Sequence, residues 1–138
     1  MTAEAALAQA NVAAPSAESN LVTKPIWAQI LSNESLNEFY PDRARRMAIT
    51  GFSIVECLVN DAGSLEKCSL VAEEPKKEGF GFALLKIPHF LKVGANDETG
   101  QRTVNRPIKL GAQFGQLKGQ KDGDGAQAYG LNLYVVGD

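Results

Sequence analysis

The chain has 138 residues, with 44% hydrophobic and 22% charged side chains and a formal net charge of −2. That length allows one domain of ordinary size plus loose ends, and the composition is that of a globular protein. The balanced charge gives no electrostatic reason to expect a nucleic acid or an anionic membrane as partner. No apolar run approaches the ~18 residues that would span a bilayer.

Residues 1–24 are expected to be a disordered leader or linker, because MTAEAALAQANVAAPSAESN offers almost nothing large to bury. ALAQA has the small residues of a signal-peptide end, but Glu4 stands where a basic region belongs and the apolar core is too short. Either the chain is not exported by that route or its native start lies further upstream, and the second is expected. Order should begin near Trp27, in KPIWAQIL. In SNESLNEFYPDRARRM, Leu36, Phe39 or Tyr40, Ala44 and Met47 recur at helical spacing, and Ser32 or Asn33 can act as N-cap. Pro41 interrupts this run and suits the first position of a new helix, so a short turn followed by a helix from Pro41 to about Met47 is predicted. Asp42 in its first turn and Arg45 and Arg46 in its last turn complement the helix dipole.

GFSIVECLVN and LEKCSLVAEE flank the turn DAGS and read as a β-hairpin. With Asp61–Ser64 as the loop and Asn60 facing Leu65, Val59 lies opposite Glu66, Cys57 opposite Cys68, and Val55 opposite Leu70. These are the chain's two cysteines. Three readings are open for them: a metal pair, two unpaired thiols, or a covalent staple. A zinc site needs four ligands and only His89 is added, while a redox pair would normally be C-x-x-C. Directly opposed strand residues sit at nearly the separation a disulfide needs, so the register favours the staple and, with it, an oxidising compartment.

EEPKKEG is a charged connection, and FGFALLKI is expected to form a helix that Pro88 ends or kinks, with Phe80 and Phe82 packing in the core. His89 has no evident partner and reads as a surface or capping residue. GANDETGQRTVNR is a polar loop. PIKLGAQF then alternates, with Ile108, Leu110, Ala112 and Phe114 on one face and Lys109, Gly111 and Gln113 on the other, which is a half-buried strand. Residues 115–125 read as a flexible polar linker. AYGLNLYVV carries enough Tyr, Leu and Val for one more strand. DGDG at 122–125 begins like a calcium loop, but the twelfth position is Leu133 where a Glu is required. No grouping of catalytic side chains emerges, so no enzyme, cofactor or metal is expected.

The order helix, hairpin, helix, strand, opened by YPDRARRMAITG, resembles the C-terminal domain of the TonB family over roughly residues 25–114. Tyr40-Pro41 followed by Arg43, Ala44 and Gly51 is similar to that family's opening. GFGFALLKIPHF resembles the second helix of a subgroup that also carries two cysteines at this spacing, which supports the disulfide. The resemblance implies an α+β fold, two helices packed on one face of a three-stranded antiparallel sheet, with the extra C-terminal strand outside the family pattern.

It also implies a periplasmic module that relays energy from an inner-membrane proton-driven complex to outer-membrane receptors. There the N-terminal segment of a receptor, the TonB box, would pair with the edge formed by Ile108, Lys109, Leu110, Gly111, Ala112, Gln113 and Phe114. Tyr40, Pro41 and Arg43 would flank it. Strand addition of this kind uses unpaired main-chain groups and makes little demand on side chains. One rival function is a soluble periplasmic adaptor or assembly subunit that keeps the fold without transducing energy. Another is a small periplasmic enzyme or metal protein. The strand within residues 115–138 has two destinations, the Ile108–Phe114 edge of its own sheet or a second subunit in a homodimer.

Overall fold

The computed structural model describes residues 20–121 and 127–137. The leader expected at 1–24 falls mostly outside them, as does the DGDG motif at 122–125. The elements run β1 (Trp27–Gln29), α1 (Asn33–Asn37), α2 (Asp42–Arg46), β2 (Gly51–Val59), β3 (Leu65–Glu74), α3 (Phe80–Lys86), a 3₁₀ turn (Ile87–Phe90), β4 (Lys92–Val93), β5 (Pro107–Lys121) and β6 (Gln127–Val135). The main sheet is antiparallel with strand order β3-β2-β5-β6, and β1 and β4 form a separate two-stranded sheet.

The α+β class stands, but the expected count of elements does not. The described residues hold three short α helices rather than two, and the main sheet has four strands rather than three. The added helix lies where a turn was expected. Ser32 caps it by accepting a hydrogen bond from the Ser35 N–H, and Leu36 is its buried residue. Pro41 then caps α2 instead of entering it, and its carbonyl accepts from Arg45 N at 2.9 Å. In α3 the helical period turns Phe80, Ala83 and Leu84 inward. The same period turns Phe82 out, 66% exposed, so it is not the core residue that its apolar character predicts.

The β2–β3 hairpin departs instructively from its expected register. Asn60 Oδ1 accepts from the N–H groups of Ala62 and Ser64, and Gly63 takes a positive φ, which closes a tighter loop. Val59 consequently pairs with Leu65 rather than Glu66. A bulge around Lys67, whose φ is also positive, then takes up one residue, so that Val55 meets Leu70 as expected. The bulge leaves Cys68 beside Cys57, and the two form a disulfide.

Inward side chains of β2 and β5 stand in register, with Val55 opposite Leu110 and Cys57 opposite Ile108. All of Val55, Ile108, Leu110, Ala112 and Phe114 are fully buried. Val22 and Leu131 belong to the same core, so the packed unit reaches beyond the expected 25–114 at both ends. Likewise Gly115–Lys121 continue β5 instead of forming a linker.

The polar loop before β5 is organised by one carboxylate. Asp97, 4% exposed, accepts hydrogen bonds from Thr99 and Gln101 and pairs with Arg106 at 2.9 Å. Arg106 in turn donates to the carbonyls of Asn20 and Leu21, and Val22 N donates to Pro107 O, which ties the first described residues to the start of β5. The Thr99 hydroxyl above all, and then Arg106 and the loop amides, hold the Asp97 carboxyl at about 2 against burial, which acts the other way.

Two outcomes follow. Replacing both cysteines with serine removes the constraint on the unfolded hairpin and should lower unfolding free energy by about 2–3 kcal/mol, measured by urea denaturation under non-reducing conditions. Because the folded pKa of Asp97 is depressed, its contribution to stability is complete above the ordinary carboxylate value and is lost as pH falls towards 2. Asp97→Asn should therefore lower the urea midpoint at pH 7, and the gap to the wild type should narrow between pH 4 and pH 2.

Candidate functional site

The sheet strand assigned to binding, Ile108–Phe114, is not an edge in this structure. β5 lies between β2 and β6, and β6 covers the side on which a partner was expected. Of the two destinations for the C-terminal strand, the folded chain takes the first. Leu110 pairs with Val135, Gly111 with Tyr134, Ala112 with Leu133, Gln113 with Asn132 and Phe114 with Leu131. Apolar residues thereby fall together on the core face, and Gln113 with Asn132 on the other, as period-two alternation requires. Val136 N donates to Lys109 O at 2.9 Å, so even-numbered residues of β6 direct their main chain at β5 and odd-numbered residues direct theirs outward.

Two side chains from the helix pair hold that outward side. Asn37 Oδ1 accepts from Leu131 N at 3.1 Å, and Arg45 Nη1 donates to Tyr129 O at 2.8 Å. Gly130 makes this approach feasible, since a Cβ there would lie 2.2 Å from Asn37 Oδ1. Arg45 is itself fixed, with its guanidinium 5.1 Å from the centre of the Tyr40 ring and a second nitrogen donating to Asn37 O. Beyond the clamp, Leu133 and Val135 border a groove of about 360 Å³ walled by Trp27, Ile30, Leu31 and Leu36.

The residues expected to flank a docked peptide are dispersed. Tyr40 is 1% exposed, and its hydroxyl donates to Ile49 O at 2.6 Å. Burial first, and Tyr129 second, push that hydroxyl's pKa up, with Arg45 opposing. The side chain is thus a core element and offers no surface to a peptide. Pro41 is half-buried and lines a cleft with Phe82 and Lys86, whereas Arg43 points to solvent and pairs with Glu78 at 2.6 Å. Cys57 and Cys68 join β2 to β3, away from β6.

Asn37, Arg45, Tyr129 and Tyr134 carry the site's contacts; no sequence pattern points to Asn37, Tyr129 or Tyr134, and the helix dipole that singles out Arg45 does not reveal its partner. Its bond to Tyr129 spans 84 residues and that of Asn37 to Leu131 spans 94, distances at which no local periodicity carries a signal.

These features define a small α+β domain, stapled at one hairpin, whose last strand is seated on the strand beside that hairpin. Residues 37–79 match the family described as Gram-negative bacterial TonB protein C-terminal. The match takes in Tyr40-Pro41, α2 and the whole disulfide hairpin, and ends just before α3. No curated protein and no solved structure matches the chain. Among the described residues, no helix is long and apolar enough to cross a membrane.

The clamp has a direct consequence. Asn37→Ala and Arg45→Ala each remove one side-chain hold on β6. Each should speed amide hydrogen exchange at Asn132 and Tyr134 by about tenfold while leaving Val55 in β2 unchanged. Uniform acceleration across the sheet would instead mean that the clamp serves global stability.

Proposed function

We propose that this chain is a periplasmic TonB-like module that captures the extended N-terminal segment of an outer-membrane receptor by main-chain pairing along β5. When tethered to an inner-membrane proton-driven complex, it passes force to that receptor. The observation that carries this reading is the β5–β6 ladder. The segment Leu110–Phe114 already holds a strand in antiparallel register, with its apolar side chains buried on one face. The family match over residues 37–79 supports a TonB-like partner for such an edge.

In this reading β6 is a resident strand that the receptor segment replaces. The exchange trades one main-chain ladder for another, so the net cost is far smaller than opening a bare edge. The β2–β5 pairing from Gly51–Phe114 to Leu58–Pro107 stays in place throughout. The edge of β3 is a poorer target, because bulges interrupt its pairing with β2 on both sides of Val55.

A second reading has its own support. Since β6 fills the edge, the fold also suits a periplasmic adaptor or assembly subunit that transduces no energy. Titrating the ¹⁵N-labelled chain with receptor N-terminal peptides, up to millimolar concentration, separates the two. Strand capture should shift the amides of Ile108–Phe114 together with those of β6. Unperturbed spectra would sink the receptor reading and leave the adaptor reading in front.

A further inference from the structure

Gly111 sits in the middle of β5, between Ile54 on β2 and Tyr134 on β6. Its backbone is ordinary extended strand with no positive φ, so no turn or left-handed conformation calls for glycine there. Glycine inside a strand weakens it, through backbone entropy and the absence of a side chain to pack. Space is the remaining reason. A Cβ at this position would lie 2.3 Å from Tyr134 Cζ, 2.5 Å from Cε2 and 2.6 Å from the hydroxyl oxygen. The tyrosine ring therefore lies across the Gly111 main chain, and Gly111 is buried although it faces away from the core. Tyr134 itself remains 41% exposed.

We infer that Gly111 is a specificity-determining position of the β5 edge, selecting a strand that places an aromatic side chain opposite it. This inference rests on the strand-exchange reading above. β6 displays the full pattern that the edge accepts. Leu131, Leu133 and Val135 fall opposite Phe114, Ala112 and Leu110 on the core face, with polar Asn132 and aromatic Tyr134 on the outer face. A preferred partner is thus an extended segment reading apolar, polar, apolar, aromatic, apolar, antiparallel to β5. Any Cβ at residue 111 would occupy the volume of the ring, so the preference resides in the glycine and not in the main-chain ladder, which every sequence satisfies alike.

The test uses the full chain carrying Asn37→Ala and Tyr134→Ala, which loosens β6 and empties the space over Gly111. The probes are the peptide AYGLNLYVVG, corresponding to residues 128–137, and the same peptide with alanine in place of its second tyrosine. Binding is read from the amide shifts of Lys109–Gln113. The tyrosine peptide should bind about tenfold more tightly, as the loss of one well-packed ring implies. Adding Gly111→Ala should bring the two affinities together. If that triple variant does not fold, a third peptide with leucine in place of the second tyrosine replaces it: on the first host it should bind like the alanine peptide, whereas affinity equal to that of the tyrosine peptide overturns the selection of an aromatic ring. Equal affinities in the first host overturn the role of Gly111 while leaving strand exchange intact. Absence of any shift with either peptide overturns both.

Discussion

The structure depends most on the burial of one side chain, Tyr40. Its ring meets Phe80, Phe114 and Tyr129 edge-on at centroid distances of 5.9, 5.5 and 6.1 Å, and Phe80 stacks on Phe114 at 4.4 Å. One residue between α1 and α2 thereby contacts α3, the central strand β5 and the last strand β6. Such edge-to-face arrangements add to the burial of the rings themselves. A phenol this deep needs a partner for its hydroxyl, and the Ile49 carbonyl, just before β2, supplies it. The adjoining Pro41 starts α2, which returns Arg45 over the same ring.

The arrangement of β6 follows from that hub. Arg45 can reach the main chain of Tyr129 because its guanidinium is already held against Tyr40, and Asn37 reaches Leu131 from the end of α1. The two glycines of the site are matched to these contacts. Gly130 on β6 admits Asn37 and Gly111 on β5 admits the Tyr134 ring, so each contact forms where one of its two members lacks a Cβ. Strand and clamp are separable in kind. The ladder to β5 is main-chain on both sides, whereas the clamp joins the Asn37 and Arg45 side chains to the β6 main chain and the Tyr134 ring packs on Gly111.

Local chemistry explains where sequence reasoning succeeded. The disulfide, the α2 helix after Pro41, the α3 helix with its break at Pro88 and the alternation of β5 all arise within a dozen residues or fewer. In such short stretches periodicity and turn residues speak directly. The errors are of another type. Phe82 is apolar yet exposed, because its place on α3 is decided by which face meets the sheet. Gly115–Lys121 are polar and glycine-rich yet form strand, because β6 supplies the hydrogen-bonding partners that composition does not reveal. Val59 pairs one residue off the expected register, because Asn60 folds its side chain back into the loop and a bulge compensates further along.

The sequence by itself determined the α+β class, the staple, the opening Tyr-Pro helix start and the alternation of β5, since each follows from residue type at short spacing. The tertiary structure alone decided that β6 lies on β5, that Tyr40 is a core residue, and that Asn37 and Arg45 bond to β6 while Gly111 leaves room for its Tyr134 ring. Those outcomes depend on residues some 20 to 90 positions apart meeting in space, and only the packing of the whole chain sets which of them meet.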